Sequence, residues 1–87
     1  PRAVLVVGAG DATGGAIARR FAREGYTACV ARRSADQLAP LVERIRADGG
    51  AAQGYGCDAR DEAQVVELVA RIEREVAPIE VAVFNVG

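Results

Sequence analysis

The chain opens its patterned part with four apolar residues in a row, Val4-Leu5-Val6-Val7, which read as a strand buried on both faces. Glycines follow at once, and then a helical pattern over residues 14–24. Ile17 and Phe21 stand four apart with Ala18 and Ala22 beside them. This predicts one apolar, small-residue face able to sit close against a sheet, with Arg19, Arg20 and Arg23 solvated. Gly25 suits the residue just past a helix end. Residues 26–31 read as a second strand. Ser34 with Gln37 three positions on predicts a capping box. Leu38, Leu41, Val42 and Ile45 then repeat at i, i+3, i+4, i+7. Pro40 predicts a kink or a split first turn in that helix, and Gly49-Gly50 ends it. Residues 51–57 are interrupted by Gly54 and Gly56, so propensity alone reads loop; their place between two helices predicts a strand. Asp61 and Glu62 suit the first turn of a third helix. Its expected buried stripe is Val65, Leu68, Val69, Ile72 and Val76, and Pro78 bars its continuation. Residues 79–84 read as a fourth strand.

The order is βαβαβαβ with short connections. It predicts an α/β fold, a doubly wound parallel sheet of Rossmann type with strand order 3-2-1-4. The order would reverse between strands 1 and 4. The glycine turn and Asn85-Val86-Gly87 would then flank one crevice. Eighty-seven residues make one domain or part of one. A chain this short buries only about 60% of its unfolded surface, so it would be marginal alone.

Composition narrows the function classes. A net charge of −1 argues against non-specific binding to nucleic acid or to anionic membranes. No apolar run reaches the roughly 18 residues of a membrane helix, and signal-peptide features are missing, so the expected location is cytoplasmic. Cys29 and Cys57 sit in apolar surroundings and read as small buried hydrophobes. All 11 basic residues are arginine; the chain has neither lysine nor histidine.

Candidate chemistry gathers at strand ends. Gly8-Ala9-Gly10-Asp11-Ala12-Thr13-Gly14 joins the first strand to the first helix. A strict G-x-G-x-x-G would need glycine at Thr13. The turn still allows a pyrophosphate close to backbone N–H groups and the positive end of a helix dipole; the alternative is a purely structural turn. After strand 2, where an NAD site offers a carboxylate to the ribose 2′-hydroxyl, stand Arg32 and Arg33. A guanidinium can grip a 2′-phosphate through two parallel bonds; otherwise the two are solvated loop arginines. Asp58 could meet an adenine amino group or cap the third helix. The Asn85 amide could bridge backbone groups at a ligand's edge or close a turn.

Taken together these residues resemble the N-terminal part of a short-chain dehydrogenase/reductase, over essentially the whole chain. The family's G-x-x-x-G-x-G is matched by Gly8 to Gly14, with Ala12 at the middle glycine. Its Asp after strand 3 matches Asp58, with Ala59 beside it. Its N-N-A-G matches Phe84-Asn85-Val86-Gly87, differing at Phe84 and Val86. The resemblance implies cofactor contacts at Gly8, Gly10, Asp11, Ala12, Thr13, Gly14, Asp58, Ala59, Asn85, Val86 and Gly87. Arg32 and Arg33 stand where NADP-preferring members carry basic residues. It implies NADPH as cofactor, hydride transfer to or from a carbonyl or alcohol substrate, and homo-oligomers. The family's Tyr-x-x-x-Lys pair and its Ser lie downstream of the N-A-G region; Tyr26 and Tyr55 match no catalytic position. Residues 1–87 are therefore expected to be the cofactor half of a longer chain, with no catalytic residue of their own. The competing expectation is a non-catalytic nucleotide-binding or regulatory domain. A methyltransferase or flavoprotein on this topology would want an acidic residue where Arg32-Arg33 stands.

Overall fold

Side-chain alternation along the first strand sets up the layers. The computed structural model describes residues 1–10 and 12–85. All five residues of β1 (Ala3–Val7) are buried. Successive side chains point to opposite faces, so a short apolar run needs cover on both sides. Val4 and Val6 pack with Ala18, Ala22, Leu38, Val42 and Ile45. Ala3, Leu5 and Val7 pack with Tyr55, Leu68 and Ile72. Helices α1 (Ala12–Arg23) and α2 (Ala39–Ala47) thus cover one face, and α3 (Glu62–Glu75) the other.

β2 (Thr27–Arg32), β3 (Ala51–Gly56) and β4 (Ile79–Phe84) complete a parallel sheet of order β3-β2-β1-β4. This is the doubly wound arrangement expected from the element order. The glycine-broken segment does form a strand, paired from Thr27↔Ala51 to Arg32↔Gly56. The register aligns the strand ends. Val7 lies level with Ala31 on one side and Phe84 on the other. The residues just past each strand therefore emerge along one edge.

Four local expectations are corrected. α1 begins at Ala12, two residues early, and its buried residues are Gly14, Gly15, Ala18 and Ala22. Ile17 and Phe21 pack only at the margin of that core. Phe21 meets Tyr26 edge to face at 5.2 Å. The capping box does not form. Ser34 makes no side-chain cap bond, because the Gln37 N–H donates to the Ser34 backbone carbonyl at 3.1 Å. That bond belongs to a 3₁₀ turn, Ala35–Leu38, after which α2 starts with Pro40 in its first turn. This is the split that proline demands. In α3 only Leu68 and Ile72 of the expected stripe are fully buried; Val65, Val69 and Val76 are half-buried. β4 is the edge strand of the described sheet, so the helix above it has less surface to cover.

Tyr55 and Cys29 share a hydrogen bond on the α3 face, and burial pushes the phenol pKa up to about 12. Both cysteines are free and buried. Among the described residues no helix is long and apolar enough to cross a membrane.

α1 closes as the glycine predicts. The Tyr26 N–H reaches Phe21 O at 3.2 Å and the Gly25 N–H reaches Ala22 O at 3.1 Å, with Gly25 at φ +94. A Cβ there would meet nothing within 4 Å. Gly25→Ala is expected to lower stability by the left-handed backbone cost alone, about 1–2 kcal/mol. Gly8 combines φ +87 with a steric overlap, because a Cβ would strike the Asn85 carbonyl. Gly8→Ala should therefore cost clearly more. Urea unfolding of the intact protein measures both, and equal losses would refute the tight joint at Gly8.

Candidate functional site

The C-terminal edge of the sheet carries an open crevice of about 690 Å³. Its walls are the last residue of a strand or the first few residues beyond one. Val7, Gly8 and Gly10 come from the β1 turn, Arg32 to Ser34 from the end of β2, Cys57 to Arg60 from the end of β3, and Asn85 from the end of β4. A crevice where strand order reverses is the general ligand site of such sheets.

The turn is held from both sides. The Gly8 and Ala9 N–H groups donate to Ala31 O at 2.8 and 3.2 Å. From the other side the Asn85 N–H donates to Val7 O at 2.8 Å, and Asn85 Nδ2 donates to Gly8 O at 3.2 Å. Asn85 thus bonds to the glycine turn itself. Gly14 fits into the same joint: a Cβ on it would fall 2.8 Å from Ala9 Cα and 3.2 Å from Asn85 Nδ2. Ala12 and Thr13 are exposed in the first turn of α1. The methyl at the family's middle-glycine position therefore stays out of the packed joint. Among the described residues of that first helical turn none is acidic.

The charged groups sort themselves across the crevice mouth. Arg60 donates from its backbone N–H at 3.0 Å and from Nε at 3.3 Å to Asp58 Oδ1. Arg33 Nε lies 4.0 Å from Asp58 Oδ2. The Asp58 N–H donates to Gln64 Oε1 at 3.0 Å. Asp58 does not cap α3; Asp61 does, accepting from the Gln64 N–H at 3.3 Å. Of the two readings of Asp58, the cap is set aside. Arg32, half-buried, makes no ion pair among the described residues, and its guanidinium lies across Gly10. Two guanidinium groups therefore flank one carboxylate, and a third lies over the glycine turn. Exposed pairs of this kind contribute only about 0–1 kcal/mol each, so they can yield to an anion.

Gly8, Gly10, Arg32, Arg33, Asp58, Ala59 and Asn85 share the crevice. Gly14, Ala12 and Thr13 adjoin it through the helix start. Asp11, Val86 and Gly87 lie outside the described residues. Ser34, Cys57 and Arg60 also line it, and the sequence pattern assigns none of them to a site. Arg60 carries the one usable signal, an Asp-x-Arg spacing that lets an arginine fold back on its own turn. Burial, then the Asp58 and Asp61 carboxylates, push the Cys57 thiol pKa up, so it is a poor nucleophile. Neither tyrosine lines the crevice. Among the described residues no group of three or more His, Cys, Asp or Glu is placed to hold a metal.

Sheet order, glycine turn and crevice define the class: a doubly wound Rossmann-like fold with its cleft at the reversal point. The short chain dehydrogenase family model matches residues 2–87, and the chain belongs to that family. Among curated relatives it is 34% identical over 83 residues to 2,3-dihydro-2,3-dihydroxybenzoate dehydrogenase of Bacillus subtilis, covering 95% of this chain and 32% of that protein. Among solved structures it is similar to a short-chain dehydrogenase from Rhodopseudomonas palustris, with TM-score 0.94 and 44% identity over 99% of this chain and 40% of that one. A variant of actinorhodin polyketide ketoreductase crystallised with NADPH gives TM-score 0.90 and 34% identity, over 99% of this chain and 33% of that one. The chain spans about a third of the length of the curated relatives it matches.

Asn85→Ala removes the Nδ2 bond to the Gly8 carbonyl. It is expected to cost about 0.5–1.5 kcal/mol, read by urea unfolding of the intact protein. Asn85→Asp places a carboxylate against that carbonyl and should cost more at neutral pH than the alanine. No loss in either variant would show that the amide does not hold the turn.

Proposed function

We propose that residues 1–87 form the N-terminal, cofactor-binding part of a single Rossmann domain in an NADP(H)-dependent oxidoreductase. The parent enzyme moves a hydride between nicotinamide and a carbonyl or alcohol substrate, in the cytoplasm and as a homo-oligomer. The observation that carries this reading is the pair Arg32-Arg33, in place of a carboxylate, at the end of β2. The crevice fits such a ligand. Its volume lies within the usual range of roughly 300–1,000 Å³, and its mouth is rich in guanidinium groups.

In this reading Gly8, Gly10, Asp11, Ala12, Thr13 and Gly14 present backbone to the pyrophosphate. Arg32 and Arg33 take the 2′-phosphate. Asp58, with Ala59 beside it, accepts from the adenine amino group; Arg60 bonds to Oδ1, while Oδ2 lies 4.0 Å from the exposed Arg33, a weak contact that a ligand can displace. Asn85, Val86 and Gly87 adjoin the nicotinamide-side ribose. The dinucleotide supplies the hydride chemistry; these residues bind and orient. None of them is a proton donor suited to a carbonyl, and the segment has neither lysine nor histidine. The alternative reading is a non-catalytic nucleotide-binding or regulatory domain. NADPH oxidation by the intact protein against a panel of ketones and aldehydes separates the two.

A hydrogen bond to a charged group contributes roughly 1.5–3 kcal/mol, and a decade in affinity is about 1.4 kcal/mol. The intact protein should therefore bind NADPH about tenfold or more tighter than NADH. Arg32→Asp with Arg33→Ala should erase the difference. Equal affinity in the unmutated protein, by fluorescence or calorimetric titration, would remove the 2′-phosphate assignment.

A further inference from the structure

Position 10 is a glycine that neither the backbone nor the family pattern requires. Its φ is not in the left-handed region, unlike those of Gly8, Gly25 and Gly49. In G-x-x-x-G-x-G it falls on an unspecified position. The missing side chain has a spatial consequence instead. A Cβ at Gly10 would fall 2.7 Å from Arg32 Cζ and 2.9 Å from Arg32 Cδ, and would overlap Nη1. The Arg32 guanidinium therefore lies on the bare Cα of the turn, in the space a methyl would take.

The two arginines are not equivalent in this setting. Arg33 is two-thirds exposed, at 66%, and is directed toward Asp58. Arg32 is half-buried, ends β2 in register with Gly56, and reaches back over the β1 turn. Resting on Gly10 places its planar, five-donor head beside the turn that opens into the first helical residues. Resting on that reading of the crevice as an NADP site, we propose that Gly10 is a specificity-determining position. It acts by seating Arg32 as the principal 2′-phosphate ligand, and Arg33 contributes less because Asp58 already engages it. Gly10 itself touches no phosphate of the ribose in this scheme; it is a positioning residue.

The test is a double-mutant cycle on the intact protein, with Kd measured for NADPH and for NADH. The overlapping atoms in Gly10→Ala belong to the flexible end of Arg32, so the variant should fold with an unchanged unfolding midpoint. It is expected to weaken NADPH about three- to tenfold more than it weakens NADH, and in an Arg32→Ala background to change the NADPH/NADH ratio less than about twofold. Equal weakening of both cofactors, or an undiminished effect without Arg32, would overturn the proposal. A second comparison leaves the turn untouched: Arg32→Ala should weaken NADPH more than Arg33→Ala does, and the reverse ranking also overturns it. If the unmutated protein binds NADPH and NADH alike, the NADP reading fails and takes this proposal with it. A clear NADPH preference without coupling between positions 10 and 32 sinks this proposal alone.

Discussion

The whole arrangement depends on one close approach without side chains. Gly8, Gly14 and the backbone of Asn85 meet where any added Cβ would collide with main-chain atoms. Main chain cannot step aside as a side chain can, so this contact is either made by glycine or not made at all. It draws three elements together: the end of β1, the start of α1 and the end of β4. It also sets how near the helix start lies to the sheet edge. That distance decides whether backbone N–H groups face the crevice or are buried beneath it. The small buried face of α1, glycine and alanine only, continues the same constraint down the helix.

On this frame the crevice is made by register rather than by any special loop. Because the strands are parallel and nearly level, short connections deliver polar residues from four strands to one place. The resulting charge distribution is uneven. One carboxylate, Asp58, is flanked by Arg33 and Arg60, while Arg32 stands apart over the glycine turn. In water such contacts are weak and screened. Their effect is to hold long side chains near the mouth without committing them, so an incoming multivalent anion meets guanidinium groups already gathered.

Most of the architecture is legible in periodicity. The doubled apolar run of β1 and the i, i+3, i+4, i+7 stripe of α2 each have one compact solution, and short connections then leave few topologies. Even the broken strand β3 follows from its neighbours. The failures share a cause: they turn on distances across the chain. Ala18 and Ala22 do form the expected small face, but nothing in the pattern says that Ile17 and Phe21 will stay at its margin. Nothing in Ser34-x-x-Gln37 says that a downstream proline will convert the region to a 3₁₀ turn whose backbone carbonyl takes the bond first. Asp58 and Asp61 are both reasonable caps by composition, and only geometry assigns the cap to Asp61. In the linear chain Arg60 is one more surface arginine, and Gly10 one more flexible residue. Their significance lies in what each faces, which a linear pattern does not contain.

The bond from Asn85 to Gly8 joins residues 77 positions apart, and β4 docks on β1 through contacts of similar span. Closing so long a loop costs entropy that the local βαβ units never incur. The two lips of the crevice are therefore the partners most weakly bound to each other by connectivity. Any molecule that touches both lips acts as a cross-link supplied from solution, and its binding energy adds directly to the docking of that outer strand. Occupancy and edge integrity are in this way a single equilibrium seen from two sides.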